Sequence, residues 1–444
     1  MVIVGRRATM RAPDDVDRQI LRIAVPAFAA LVTEPLMVLT DTAVVGRLGT
    51  TSLAGLAAAG AVLGTVVGLC VFLAYGTTAV VARNAGGGRP DRAAAAAVGG
   101  VWLAAGLGVL LGAGIAISAG PVGRALASSP ASADAAREYL VVSSLGLPSM
   151  LVMLATTGAL RGLMDLRTPV VVAVVSNLLN AALSVFLVHG VGWGLAGAAA
   201  GTVVAQTVGA VWLVVVVAGH ARRHGAGLAP RAADVLDAAL RGVPLLVRTG
   251  ALRAALLIAV AVAATFGDAP LAAHQIAVGL VTLLAFALDA LAIAGQTLTG
   301  RSLGAGDVVG TRALTRRMMA WGAGFGGAAG LLLLASAPFV ARLFTTDPAV
   351  LDAAVPAIVA IAVIQPLSGV VFVLDGVLIG AGDGAYLAWA GLLTLAVYAP
   401  LAVGVGWAGG GLTWLWVAYG GFILARLLTL VVRERDGRWA VTGA

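Results

Sequence analysis

Charged residues are scarce in this sequence. Only 11% of its 444 residues are charged, against about 25% in soluble domains. The hydrophobic fraction is 60% and the mean hydropathy is +1.02, so there are too few polar groups to cover the surface of a soluble 44.0 kDa protein. These figures exclude a soluble enzyme, a nucleic-acid-binding protein and a disordered scaffold. They predict a membrane protein.

Lysine is absent altogether, since every one of the 28 basic residues is arginine. A Walker A loop requires Gly-Lys-Ser/Thr to hold phosphates, and a Schiff base requires a lysine amine, so both are excluded. The motifs HExxH, CxxC and Gly-x-Ser-x-Gly are absent as well. We therefore expect no enzymatic activity, no catalytic residue and no cofactor. Work against a gradient would have to draw on an ion gradient or on another subunit.

Metal-ligating residues are also few. The single cysteine, Cys70, lies in an apolar run and has no partner for an internal disulfide. His220 and His224 are spaced i, i+4 in an arginine-rich loop with no third ligand nearby. We expect no metal site.

Long apolar runs dominate the sequence. A spanning helix needs about 20 mostly apolar residues. Nine uncharged runs reach that length, and the longest, 384–425, is expected to form two helices joined at Gly404–Gly411. Two further spans, 20–46 and 242–266, contain ionisable residues. The sequence therefore predicts an all-α membrane protein with twelve transmembrane helices. Residues 1–19 are charged and lack the apolar core of a signal peptide, so the first span is expected to be retained.

The arginines predict the orientation of these spans. In a twelve-span topology nearly all of them fall on one side of the membrane, and the exceptions are Arg47, Arg124, Arg137 and Arg342. Because cytoplasmic loops carry an excess of arginine, we expect both termini in the cytoplasm and a multi-pass protein of the cell membrane. The net charge of +8 then reflects topology, and no nucleic-acid partner is expected.

The two halves of the chain match at one constant spacing. Residues 218 positions apart are similar or identical at four separate places, which are Pro26/Pro244, Leu53-Ala54/Leu271-Ala272, Arg83–Gly88/Arg301–Gly306 and Gly158–Asp165/Gly376–Asp383. The alternative is shared composition at similar turns. A true repeat gives an N-lobe of six helices (1–220), a cytoplasmic linker (221–236) and a C-lobe of six helices (237–444). An even number of helices makes the repeats parallel, as in secondary transporters with a ligand site between or within the repeats.

Four carboxylates lie inside predicted spans, where a charge costs about 2.5–3.5 kcal/mol and needs a reason. They are Glu34, Asp41, Asp289 and Asp375. Asp289 and Asp375 either bind a cation or neutralise Arg248 and Arg253 of the seventh span.

The first span combines two of these acids with two prolines. Glu34 and Asp41 are seven residues apart and share a helix face, and Pro26 and Pro35 lie on the same helix. An internal proline removes a backbone hydrogen bond and creates a kink, so the prolines are candidate hinges. Desolvation favours the protonated form of a carboxyl group, so acids beside a hinge suggest a protonation switch. The alternative is that each acid only pairs with a polar group on a neighbouring helix.

Polar residues also interrupt the fifth span, at Asn177, Asn180 and Ser184. Asn180 and Ser184 share a helix face and could line a cavity with Asp41. The alternative is interhelical hydrogen bonding without ligand contact.

Several longer stretches resemble one known family. They are Arg22-Ile-Ala-Val-Pro26, Glu34-Pro35, Asp41 to Gly49, Gly158 to Gly162, Arg167-Thr-Pro169, Asn180, Gly194 to Ala198, Ala272 to Gln275, Leu288 to Asp307 and Leu374 to Gly382. Together they cover nearly the whole chain and look like the MATE (multidrug and toxic compound extrusion) exporters, in particular their DinF-like branch.

The resemblance implies a twelve-helix, two-lobe exporter that exchanges cationic or amphipathic compounds for H⁺ or Na⁺. In relatives the aspartate matching Asp41 is central to coupling, the proline matching Pro26 permits bending, and acids comparable to Asp289 and Asp375 bind cations in some branches. Many relatives carry a second aspartate where this chain has Ser184, so a two-aspartate relay is in doubt here, and Glu34 is a speculative replacement.

Two further expectations complete this interpretation. We expect a monomer in a lipid bilayer that binds small cationic or amphipathic substrates. The alternative function is a flippase for lipids or lipid-linked sugars, although flippases tend to have a more arginine-rich cavity and the first half of this chain offers acids.

Overall fold

The computed structural model describes residues 13–127 and 129–443, and the part described is helical with no β-strand. Residues 1–12 of the charged N-terminal segment lie outside the described residues. The first half consists of α1 (Pro13–Gly46), α2 (Thr50–Cys70), α3 (Phe72–Gly86), α4 (Pro90–Leu126), α5 (Pro130–Ser144), α6 (Leu147–Gly162), α7 (Arg167–Val185) and α8 (Gly194–Arg223). A π-helical turn, Phe186–Gly190, extends α7.

The second half contains six helices, which are α9 (Ala232–Ala264), α10 (Asp268–Gly304), α11 (Val308–Phe344), α12 (Pro348–Gly380), α13 (Gly384–Trp407) and α14 (Gly411–Asp436). The run 384–425 is divided near Gly404–Gly411, as predicted. Helices α2 and α3 together give one span, and α5 and α6 give another if the bent pair is counted once. The described residues then contain twelve apolar spans. This is the expected all-α fold, because only helices and closed barrels satisfy the backbone in lipid.

The 218-residue spacing reappears in the helix bounds. Helix α4 begins and ends 218 residues before α11, and the stretch from the start of α5 to the end of α6 is shifted by the same amount from α12. Turn geometry repeats as well. Gly49 and Gly267 occupy equivalent positions before α2 and α10, with φ of 112° and 101°, a region that glycine enters without steric cost. The predicted six-plus-six repeat is therefore confirmed.

The fourth span differs from its counterpart. The sequence predicts one helix from residue 139, whereas the structure begins α5 at Pro130 and breaks the span after Ser144 with a bend of 52°. Helix α12 runs unbroken through the equivalent position. The first span also begins earlier than predicted, at Pro13.

Two compact units are present. One comprises Ala29–Gly242, and the other comprises the described residues of α1 as far as Phe28 together with the chain from Val243 onward. We call them the first and the second unit. The long helices α1 and α9 each contribute their first part to one unit and their remainder to the other. A core of the first unit is formed by buried side chains of several helices, among them Val45, Ala59, Ile115, Leu140 and Leu195.

Candidate functional site

The carboxylate of Asp41 lies in the interior of the first unit. Its side chain is on the last part of α1 and only 5% of the residue is exposed. Ser184 Oγ donates to Asp41 Oδ1 over 3.1 Å, and Thr202 Oγ1 lies 3.0 Å from Asp41 Oδ2. Both carboxylate oxygens are therefore hydrogen-bonded to hydroxyl groups of neighbouring helices.

Asn180 links these two hydroxyl groups. Its Nδ2 donates to Thr202 Oγ1 over 2.8 Å and lies 3.5 Å from Ser184 Oγ. Asn180 and Ser184 are fully buried, and the i, i+4 spacing on α7 places them on one face. Asn180 Oδ1 is buried and has no hydrogen-bond partner, so the network contains an unused acceptor.

The close approach of α7 and α8 makes this network possible. Gly201 of α8 faces Ser184, and a Cβ atom at Gly201 would lie 3.0 Å from the Ser184 backbone nitrogen and Oγ. A small residue here lets the two backbones approach. Thr202, the next residue, thereby reaches Asp41.

The sequence predicted three of these residues and missed two. Asp41, Asn180 and Ser184 come together as the shared helix face indicated. Thr202 was missed because one hydroxyl in an apolar helix carries no charge to mark it. Tyr139 of α5, which is buried beside Thr202 and Asp41, was missed because it stands at the start of an apolar run and resembles a core aromatic residue.

The other predicted residues of the first span are arranged differently. Asn177 donates its Nδ2 proton to the backbone carbonyl of Thr33, so it fastens α7 to α1 rather than reaching Asp41. Glu34 is exposed, two helical turns before the buried Asp41. Pro26 and Pro35 are both half-buried and lie inside the continuous helix α1.

The second unit contains a different arrangement of charges. Asp375 of α12 is 5% exposed. Its Oδ2 accepts hydrogen bonds from Arg248 Nη2 of α9, over 2.7 Å, and from Arg426 Nη2 of α14. The sequence left two alternatives for Asp375, cation binding or pairing with arginines of the seventh span. The structure shows pairing with Arg248. Arg426 was missed because it follows directly after the uncharged run 384–425.

The remaining charged candidates lie on α9 and α10. Asp289 is partly buried on α10, and Arg253 is exposed. In the described part of the chain no group of three or more His, Cys, Asp and Glu side chains is placed to bind a metal ion.

The chemistry of the two carboxylates therefore differs. Among the ion pairs of the described residues none includes Asp41, whose partners are hydroxyl groups. A hydroxyl group both donates and accepts, so this network can serve an ionised or a protonated Asp41. Asp375 faces two guanidinium groups, which stabilise its ionised form.

Both halves of the chain match one known protein family. The family model described as MatE matches residues 26–186 and 248–403, one stretch in each half. The chain belongs to the MatE family. The resemblance seen in the sequence is thereby confirmed, and the protein is a multi-pass membrane protein of a transporter family.

Curated relatives span bacteria and plants. The chain is 29% identical to DNA damage-inducible protein F of Escherichia coli, with 95% of this chain and 94% of the relative covered. It is 28% identical to Protein DETOXIFICATION 45, chloroplastic, of Arabidopsis thaliana, with 98% and 81% covered. A probable multidrug resistance protein NorM of Thermotoga maritima is 24% identical, with 83% and 81% covered.

Solved structures show the same fold. The Vibrio cholerae MATE transporter VcmN in its bent form has a TM-score of 0.86 at 20% identity, covering 97% of this chain and 99% of that chain. A transporter of the MOP superfamily from Pyrococcus furiosus, whose binding pocket is described as having reversed polarity, has a TM-score of 0.82 at 20% identity, with 97% and 98% covered.

Proposed function

We propose that this protein is a secondary antiporter that exports cationic or amphipathic organic compounds in exchange for H⁺, with Asp41 as the coupling group. The observation that carries the proposal is the Asp41 network. A buried carboxylate bonded to two hydroxyl groups, without an arginine to fix its ionised form, is suited to gain and lose a proton.

Coupling to Na⁺ is the alternative, and the second unit argues against it. An Na⁺ ion at Asp375 would have to compete with two charge-assisted hydrogen bonds from Arg248 and Arg426. At Asp41 the partners are the neutral hydroxyl groups of Ser184 and Thr202, which can donate to the ionised carboxylate and accept from the protonated carboxyl group.

Alternating access then follows from the charge of Asp41. An ionised Asp41 attracts a cationic substrate, and protonation from the outer side removes that attraction and releases the substrate. The hinge is Pro26 or Pro35, because an internal proline opens the hydrogen-bond ladder of the helix that bears Asp41. In this proposal the protein is a monomer in the cell membrane, with both termini in the cytoplasm.

The test is efflux of a fluorescent cationic dye from proteoliposomes under an imposed pH gradient or an imposed Na⁺ gradient. We expect the pH gradient to drive efflux and Asp41→Asn to abolish it. Asp134→Asn, which removes an exposed carboxylate of α5, is the matched control and should transport like wild type. Undiminished efflux by Asp41→Asn contradicts the mechanism, and efflux driven only by Na⁺ contradicts the choice of ion.

A flippase for lipids or lipid-linked sugars is the second candidate, and the arginines of the second unit favour it. Arg426 is 8% exposed and shares Asp375 with Arg248, and guanidinium groups bind phosphate well. Translocation of a phosphate-bearing lipid headgroup without dye efflux would support this function over the antiporter.

A further inference from the structure

The beginning of α1 is fastened to α11 by one carboxylate. Asp17 Oδ1 accepts a hydrogen bond from Arg317 Nε over 2.7 Å, and Asp17 Oδ2 accepts a second one from Arg317 Nη2. Trp321 Nε1 donates to Asp17 Oδ1 over 2.8 Å. Arg317 and Trp321 are four residues apart and lie on one face of α11. We call these three residues the α1 anchor.

The hydrogen bonds of the α1 anchor fix the orientation of the Asp17 carboxylate. A guanidinium group that binds both oxygens of a carboxylate fixes the orientation of the pair as well as its distance. The indole of Trp321 adds a third donor from the same helix face. The side chain of Asp17 is 21% exposed, so it is held against α11 rather than extended into solvent.

The division of α1 between the compact units gives this anchor its significance. The unit boundary falls between Phe28 and Ala29, two residues after Pro26. Asp17 belongs to the second unit, as do its partners on α11, whereas Asp41 belongs to the first. The proline thus lies between an anchored helix end and the helix end that carries the buried carboxylate.

A hinge transmits movement only if one of its arms is held. If the first turns of α1 were loose, a force at Asp41 would displace the whole helix. With these turns fixed on α11, the same force bends the helix at Pro26, where a backbone hydrogen bond is missing.

The second half supplies an independent observation at the equivalent place. The first part of α9 belongs to the first unit, and a Cβ atom at Gly99 of α4 would lie 3.1 Å from the backbone oxygen of Asp234 in α9. Trp102 Nε1 of α4 also donates to the carbonyl of Leu228, over 2.9 Å, in the segment that leads into α9. Gly99 and Arg317 are 218 residues apart. Each half therefore fastens the beginning of a proline-containing helix to the equivalent helix of a compact unit.

We propose that Asp17, bound by Arg317 and Trp321, is a positioning residue that converts a change at Asp41 into bending of α1 at Pro26. The inference rests on the proposed antiport at Asp41, but the fastening itself can be measured without transport.

The first measurement tests the fastening. In a Cys70→Ala background, spin labels at Leu21 of α1 and Leu343 of α11 report whether the two helices keep a fixed separation. Both residues are exposed. Because an α-helix rises about 1.5 Å per residue, Leu343 lies about 39 Å along α11 from Arg317. We expect a narrow distance distribution in the otherwise unchanged protein and a broad one in Asp17→Ala. A narrow distribution in Asp17→Ala overturns the proposal, whatever the role of Asp41.

The second measurement tests the consequence for transport. We expect Asp17→Ala to lower kcat for dye efflux about tenfold and to change KM by less than about twofold, since Asp17 positions a helix and does not contact substrate. Asp15→Ala, an exposed acid two residues earlier, is the control and should transport like wild type. The exchange Asp17→Arg with Arg317→Asp should restore part of kcat.

The outcomes separate the two proposals. Loss of the fixed separation without loss of kcat overturns the positioning role and leaves the antiport mechanism intact. Failure of the exchanged pair to restore either readout, with Asp17→Ala still folded, also contradicts the anchor. Failure of the antiport mechanism is detected by Asp41→Asn alone.

Discussion

The Cβ position of Gly158 in α6 lies 2.3 Å from the carbonyl oxygen of Ala74 in α3. The same contact recurs 218 residues later, where the Cβ position of Gly376 in α12 lies 2.1 Å from the carbonyl oxygen of Ala292 in α10. No side chain fits at either place without movement of a backbone. In membranes, where helix association depends on close packing, such glycines hold each compact unit together.

Adding a methyl group at these glycines should therefore destabilise the protein. For Gly158→Ala and for Gly376→Ala we expect a loss of about 1–3 kcal/mol, the usual effect of overpacking, seen as a lower midpoint of thermal unfolding in detergent. Gly60→Ala is the control, because nothing lies within 4 Å of its Cβ position in α2. Equal midpoints for the three variants would refute the packing argument.

Thr202 should be required for transport because it hydrogen-bonds to Asp41. Thr202→Val keeps the shape and removes the hydroxyl group, and we expect efflux to fall about ten- to a hundredfold, as for loss of a 1.5–3 kcal/mol hydrogen bond to a charged group. Thr202→Ser retains the hydroxyl group and should keep most of the activity. The measurement is initial efflux rate against dye concentration. Similar rates for the valine and serine variants would remove Thr202 from the site.

Ser184 offers a test of how many protons the network binds. Ser184→Asp places a second carboxyl group within hydrogen-bonding distance of Asp41, and two adjacent carboxyl groups share protons because both cannot ionise freely. We expect the dependence of efflux on proton concentration to become steeper than in wild type. Ser184→Asn, neutral and of similar size, should leave the steepness unchanged. A slope in Ser184→Asp equal to that of wild type would contradict shared protonation.

Asp375 should be more important for stability than an exposed acid. Asp375→Asn leaves Arg248 and Arg426 close together without their shared carboxylate, and breaking a buried pair costs about 3–5 kcal/mol. We expect a large decrease in the unfolding midpoint, partly reversed by adding Arg426→Gln.

The control for this prediction is the exposed pair Asp237–Arg241, whose side chains are more than half exposed. Asp237→Asn should cost less than about 1 kcal/mol. A midpoint for Asp375→Asn close to that of the control would show that the buried cluster does not stabilise the fold.

The number and order of the membrane-spanning helices could be predicted from the sequence. Each apolar run marks a span, and one constant spacing relates the two halves. The bend between α5 and α6 was missed because the prolines beside it, Pro148 and Pro366, are equivalent and α12 is unbroken. The residues before these prolines differ: the break follows Ser144 and contains Gly146, where α12 has Ala362 and Ile364. Serine and glycine are residues at which helices kink, so a signal was present in the sequence and was overlooked in a long apolar run.

The site could be predicted where a charge inside a span or a pair of polar residues at helical spacing marked it. Asp41 is costly in an apolar span and is easily recognised, whereas Thr202 is not. Asp17 was included in a charged N-terminal segment, because its partners, Arg317 and Trp321, lie 300 or more residues further along the chain. Tertiary partners at such separations leave no periodic pattern for sequence reasoning to detect.

The matching helix bounds at one spacing imply a history. Tandem duplication of a six-span unit is the event that produces one constant spacing, and an even number of spans gives both copies the same direction in a membrane. The two buried carboxylates do not correspond in this repeat, since Asp41 matches Ala259 and Asp375 matches Thr157 at the spacing of 218 residues. Each half therefore has a buried carboxylate at a position of its own, among hydroxyl groups in one half and beside two arginines in the other.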